Sequence, residues 1–168
     1  MDKAKFYLRE AYQEVQYAKM CYRSFLNAKR QDNTNLMFFH VHHFVIHAAN
    51  IDKLLNPKTS SLRYQVIQDA LDIGILELQL LRRLRNHLEH FDERLVKWVN
   101  EYGDRPFFDR NLIEGTRGFP KEAFLRALDG NTFKFQGESY DLGVMIEEVR
   151  KIEKLLNPLF KKPRRTNH

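Results

Sequence analysis

Disulfide chemistry is the first thing this chain excludes. Its 168 residues include a single cysteine, Cys21, so no intrachain bridge can form and no cysteine cluster can hold zinc. That predicts a reducing compartment. Long hydrophobic runs are missing too, since none approaches the ~20 apolar residues that a membrane helix needs. The first residues alternate in charge from Asp2 onward and lack the apolar core of a secretory leader. A cytoplasmic protein with no membrane partner is expected. A phosphate-cradling P-loop, a dinucleotide glycine fingerprint and a Gly-x-Ser-x-Gly elbow are all absent, and no cofactor is expected.

What is present is a globular composition. Apolar residues make up 43% and charged residues 30%, too apolar for disorder. The formal net charge is +6, but the tail Lys161-Lys162-Pro163-Arg164-Arg165 supplies four of the positive charges, so the body is only mildly basic. That permits a polyanionic partner without requiring one. Residues 1–160 read as one domain and 161–168 as a basic, frayed tail.

Helical periodicity dominates the first hundred residues. Phe6, Leu8, Val15, Ala18, Tyr22 and Phe25 recur at helical steps over 2–29, with no Gly or Pro between them. The polar break 31–35 offers N-caps. A second helix over 36–55 is apolar nearly all round, as central or interfacial helices are, and Asn56-Pro57 ends it. A third runs from Ser60 or Ser61 to Gly74, and a fourth over 76–102 with Gly103 as its stop. Leu81, Leu84, Leu88, Phe91, Leu95 and Trp98 form the fourth helix's single apolar stripe. Four helices with short connections predict an antiparallel bundle. From 104 to 140 the character changes to glycines, prolines and short aromatic runs. Phe107-Phe108 with 111–113 reads as one strand. Residues 124–128 and 132–135 read as a hairpin about Asp129-Gly130-Asn131. A last helix over 142–156 presents Val144, Ile146, Val149, Ile152, Leu155 and Leu156. The expected fold is mainly α, with four long helices, a C-terminal helix and a small β-hairpin insertion.

Beside the fourth helix's apolar stripe stand Arg85, Asn86, His87, Glu89 and His90. An arginine offers a permanent forked cation suited to phosphate, and histidine a proton carrier near neutral pH. These are the parts that metal-free phosphodiester cleavage requires. At about 100° per residue Asn86 and His90 share a face, whereas Arg85 and His90 lie about 140° apart. A bent helix or a second copy is therefore needed to complete a site. The simpler reading pairs Arg85 with Glu89 one turn on and leaves Asn86 and His90 in solvent. His87, at the edge of the stripe, is expected to be partly buried.

Arg85-Asn86 followed by His90 resembles the HEPN domain family, helical bundles marked by Arg, a polar residue and His four to six residues after the Arg. The resemblance covers about 6–102, and the run Arg85 to Arg94 resembles a bacterial branch of the family. It implies a metal-independent endoribonuclease in which the ribose 2′-hydroxyl attacks the adjacent phosphate. His90 would then move protons, Arg85 would hold the phosphate, and Asn86 would orient His90 or touch the phosphate. It also implies a homodimer with a composite cleft, RNA as substrate, and a toxin or phage-defence role with a possible protein antitoxin.

On the second helix, His40, His43, His47 and Asn50 step by three, four and three and share a face. His43 and His47 have metal-chelating spacing, but Phe44 stands where the zincin pattern needs Glu, and no metal site is expected. This line either faces the motif, making His43, His47, Asn50 and Glu89 substrate-binding residues, or packs as buried polar groups. The alternative function is a non-catalytic helical dimer that binds RNA, a nucleotide or a protein partner through the same cleft.

Overall fold

In the computed structural model the described residues are 3–57, 59–71, 79–103, 109–113, 120 and 123–160. The core starts from a seam between two antiparallel helices, α1 (Lys3–Arg30) and α2 (Thr34–Leu55). On α1 the buried positions Ala4, Leu8, Ala11, Val15, Ala18, Tyr22 and Phe25 alternate steps of four and three, and Ala28 follows at a further step of three. That is the spacing of coiled-coil packing. Alanine at every seventh position lets α2 approach closely, and α2 fills the space with Phe38, Val41, Phe44 and Val45. Phe6, expected on the buried face, is instead 56% exposed, because the seam runs through Ala4 and Leu8.

The turn between these helices is built from hydrogen bonds. Asp32 takes a left-handed φ of 52°, Asn33 N–H donates to the Ala28 carbonyl and Asp32 N–H to that of Lys29, a Schellman-type ending. Asn33 then caps α2 by accepting from Leu36 N–H. Helix α3 (Leu62–Ala70), capped by Ser61, and helix α6 (Leu142–Phe160) pack on α1. Helix α4 (Gln79–Glu89) packs on α2. Gly74, the expected stop of the third helix, lies outside the described residues, as do Phe107, Phe108 and the basic tail.

The single long helix expected over 76–102 is two helices. α4 ends at Glu89, α5 spans Phe91–Tyr102, and His90 between them has φ −108° and ψ 32°. No proline or glycine causes the break. Leu81 and Leu84 are buried on the α2 side, whereas Trp98 donates its indole N–H to Ala123 at 2.8 Å and Phe91 meets Phe135 edge-on. One stripe serves two partners, and the backbone bends where the partner changes.

The insertion holds more than a hairpin. β1 (Asp109–Leu112), β2 (Arg126–Asp129), β3 (Thr132–Phe135) and β4 (Glu138–Asp141) form one sheet in that order. β2–β3 is the expected hairpin, turning at Gly130 with φ 61°. A second hairpin joins β3 to β4 through Gln136 and Gly137, both at positive φ, the geometry that suits strand twist. β1 runs parallel to β2, with a bulge between Asp109 and Asn111. Phe133, Phe135 and Tyr140 are buried, and Phe38 of α2 meets Phe133 edge-on. Asp141 caps α6 through Gly143 and Val144 N–H. Val144, expected on that helix's apolar face, is 49% exposed.

Two polar ties fix α4. Asp52, fully buried on α2, accepts two hydrogen bonds of 3.0 Å from Arg82. His87, also buried, has Nε2 3.1 Å from Glu138 Oε1, while Tyr140 donates to Glu138 Oε2 at 2.5 Å. Burial holds the Tyr140 hydroxyl far above the ordinary phenol range, so it stays a donor. Burial also lowers the His87 pKa, and the Glu138 hydrogen bond partly offsets that.

Two predictions follow from these ties. Arg82→Met leaves the buried Asp52 carboxylate with the Asn56 amide, 3.3 Å away, as its remaining side-chain donor. Because the Arg82 side chain is 45% exposed, water offsets part of the loss, and urea denaturation at neutral pH should show a cost of about 2 kcal/mol. An unchanged midpoint would show that the pair contributes nothing. For His87 the unfolded chain takes up a proton near pH ~6.5 while the folded chain resists it. Its contribution is complete above that value and is lost as pH falls through the lower folded pKa. His87→Phe should therefore flatten part of the fall in stability between about pH 7 and 5. A slope equal to the wild type's would refute this account.

Candidate functional site

The motif residues divide around α4. Arg85 is half-buried and faces α2, with Nε 3.0 Å from Glu89 Oε2. That nitrogen is buried and makes no aligned hydrogen bond. Lys53 of α2 reaches the same carboxylate, Nζ to Oε1 at 2.5 Å. These two cations, Lys53 foremost, hold the Glu89 pKa below the usual carboxylate value. Asn86 and His90 are exposed. The His90 N–H bonds the Asn86 carbonyl at 3.2 Å, and the His90 side chain stands 3.5 Å from Glu93 at 60% exposure. Asn86 and His90 thus belong to the corner where the helix breaks, and Arg85 to a groove.

That groove lies between α2 and α4 and continues onto the sheet. Its lower cavity, about 240 Å³, is lined by Asn50, Lys53, Arg85 and Glu89 among others. The upper one, about 500 Å³, is lined by Phe39, His43, Arg110, Arg126 and Phe133 among others. His42, Val45 and Leu88 line both, so the two adjoin.

The histidine line expected to face the motif splits. His43 Nδ1 bonds the Phe39 carbonyl at 2.8 Å. A carbonyl only accepts, so Nδ1 carries a proton, and in the neutral ring Nε2 is the acceptor. His43 lines the upper cavity. His47 turns toward α1, with Nδ1 2.7 Å from Glu14 Oε2, and Asn50 donates to the other oxygen of Glu14. Those two residues close α1 on α2, and only Asn50 also lines the groove. His40 is half-buried, and burial followed by the nearby His43 lowers its pKa. Among the described residues no group of three His, Cys, Asp or Glu side chains is placed to hold a metal ion.

The groove residue that the histidine spacing passed over is His42. Its side chain is exposed at the groove mouth, and desolvation of the ring by the groove walls, then His43, Arg126 and Arg110 in turn, lower its pKa. The signal was available: His42, Ile46, Ala49 and Lys53 step by four, three and four, and this is the line beside α4. Arg110 and Arg126 could not be assigned to the groove from sequence, because a strand crossover carries them there.

The arrangement offers a cationic groove end, where Lys53 and Arg85 share one carboxylate, and proton-carrying side chains at an adjoining corner. Exposed apolar side chains stand on the helices that face or carry the motif, with Ile46 on α2 38% exposed and Val96 and Val99 on α5 62% and 50% exposed. No helix among the described residues is long and apolar enough to cross a membrane. Comparison with known proteins finds no family model, no curated protein and no solved structure that matches this chain.

Proposed function

We propose that this protein is a metal-independent endoribonuclease of the HEPN type, acting on single-stranded RNA as a homodimer. The observation that carries the reading is the helix break at His90. It leaves Asn86 and His90 exposed at one corner, a turn away from an arginine on a cationic groove. In the proposed reaction the 2′-oxygen attacks phosphorus and the bond to the 5′-oxygen breaks, leaving a 2′,3′-cyclic phosphate and a 5′-hydroxyl. One His90 takes the proton from the 2′-hydroxyl, the His90 of the second copy gives one to the leaving oxygen, and Arg85 balances the charge on phosphate. The exposed Ile46, Val96 and Val99 are the contacts proposed to bring two copies together. A place in a toxin or phage-defence system, with a protein antitoxin as partner, rests on the resemblance alone.

One observation favours the alternative, a non-catalytic dimer that binds through the same groove. Glu89 occupies Arg85, the group that the chemistry needs free.

RNA cleavage by the purified protein in EDTA separates the two. The enzyme reading expects cyclic phosphate ends and a loss of about 100-fold or more in both Arg85→Ala and His90→Ala, with folding verified by circular dichroism. Val96→Asp together with Val99→Asp, both outside the groove lining, should convert dimer to monomer in sedimentation and lose cleavage with it. Cleavage that survives both motif substitutions would overturn the assignment, and a dimer that binds RNA but never cuts it would establish the alternative.

A further inference from the structure

The upper cavity is not needed by the proposed cleavage step, yet it is the larger of the two and has an unusual wall. β1 approaches it with a bulge: Asp109 pairs with Arg126 and Asn111 with Ala127, consecutive residues on β2, so Arg110 is left over between them. Arg110 has φ 55°, a left-handed conformation disfavoured for a side chain of its size. Bulges re-aim side chains next to functional sites, and strain of this kind persists where the surroundings impose it. Here the surroundings are visible. Arg126 donates to both oxygens of Asp109 at 2.9 and 2.6 Å and lies over the Phe91 ring at 4.8 Å. That pair pins the strand on one side of the bulge and uses up the Arg126 charge. Arg110, by contrast, is exposed and has no ion pair among the described residues.

Across the cavity, Phe39 is 53% exposed and its ring lies 4.1 Å from that of His43. Leu36, 41% exposed, lines the same cavity, so the apolar face there is wider than one ring. In the neutral ring His43 offers Nε2 to a donor, since Nδ1 is spent on the Phe39 carbonyl. The cavity therefore offers a flat apolar face, a hydrogen-bond acceptor beside it and one uncommitted cation opposite. At about 500 Å³ it falls within the size range of small-ligand sites. A nucleobase with its phosphate matches all three features: the base stacks, an exocyclic amine donates, and the phosphate takes the guanidinium.

We infer that the upper cavity, walled by Phe39 and His43 of α2 and by the bulged Arg110 of β1, seats one nucleotide of a single-stranded RNA beside the cleavage motif. This rests on RNA being the ligand, as proposed above, but not on cleavage. The cavity adjoins the Arg85 groove at His42, Val45 and Leu88, so neighbouring nucleotides of one strand would occupy the two. The seat needs the inserted sheet as well as α2, so the four-helix body that carries the motif does not form it alone.

The test is equilibrium binding of a short 2′-O-methyl RNA, which has no nucleophile and cannot be cut. Arg110→Gly suits it, because glycine takes the left-handed conformation without strain and the fold should survive, as urea denaturation would show. The expected result is a roughly tenfold weaker affinity for Phe39→Ala. For Arg110→Gly we expect a weaker affinity and a plot of log affinity against log salt shallower by about 0.7, the value of one phosphate contact on a single strand. Unchanged affinity and slope in Arg110→Gly would overturn the seat even if the protein cleaves RNA. Loss of binding in both variants of a protein that never cleaves RNA would keep the seat and discard the nuclease. Displacement of the RNA by a free fatty acid, with the same variants losing the fatty acid, would show an apolar-acid site instead and overturn the nucleotide assignment.

Discussion

One amphipathic stripe has to cover two different surfaces, and much of the molecule follows from that constraint. Leu81 and Leu84 bury against the helical body, whereas Phe91 and Trp98 bury against the sheet and its approach. A straight helix keeps its apolar residues on one line, so it cannot face both. The backbone gives way at His90, between the last contact with one partner and the first with the other. Hydrogen bonds continue on either side, from His90 N–H to Asn86 and from Arg94 N–H to His90, so the break is a bend held by packing and not a loop. The residue at the bend is the histidine of the motif, which puts its exposure under the control of distant apolar contacts.

The same constraint explains where buried polar groups are tolerated. α4 is held to α2 by Asp52 and Arg82 and to β4 by His87 and Glu138. Each tie spans a junction that apolar packing alone leaves free to slide, and each is directional. His87 has an apolar environment, stacked on Phe135 at 5.0 Å, yet its Nε2 finds the Glu138 carboxylate. Together the two ties set the rotation of α4, and that rotation decides which side of the helix presents Arg85 and which presents Asn86 and His90.

How far the sequence reaches depends on the range of the interaction involved. A helix start within 31–35, another at Ser60 or Ser61, the stop at Asn56-Pro57 and the hairpin about Gly130 were legible, because caps and turns are set by neighbouring residues. The bend at His90 was not, since no breaker marks it and the cause is a sheet packed from elsewhere in the chain. β4 was missed because its four residues, Glu138 to Asp141, present one buried side chain, Tyr140, too little for a strand pattern. At the site, the pairing of Arg85 with Glu89 could be read from a spacing of four. The capture of His47 and Asn50 by Glu14 could not, because Glu14 lies on α1 and joins the line only through the helix seam. Arg110 reaches the groove by a parallel crossover, and no local pattern announces such a neighbour.

The Arg85–Glu89 pair decides how the motif should be weighed, and its size matters more than its presence. Glu89 is 40% exposed and Arg85 25% exposed in their side chains. Pairs of that side-chain exposure contribute roughly 0.5 kcal/mol, since water competes for the carboxylate even though the guanidinium Nε is buried. A phosphate diester brings an acceptor with similar charge and better geometry for the guanidinium fork, in a groove where Lys53 remains to hold the released carboxylate. The exchange replaces one partner of Arg85 with another at little cost, and Glu89 keeps Lys53. An arginine buried in a strong pair would have counted against the catalytic reading. One resting on a shared, half-exposed carboxylate is instead held in place and readily surrendered, which is compatible with the phosphate contact proposed for it.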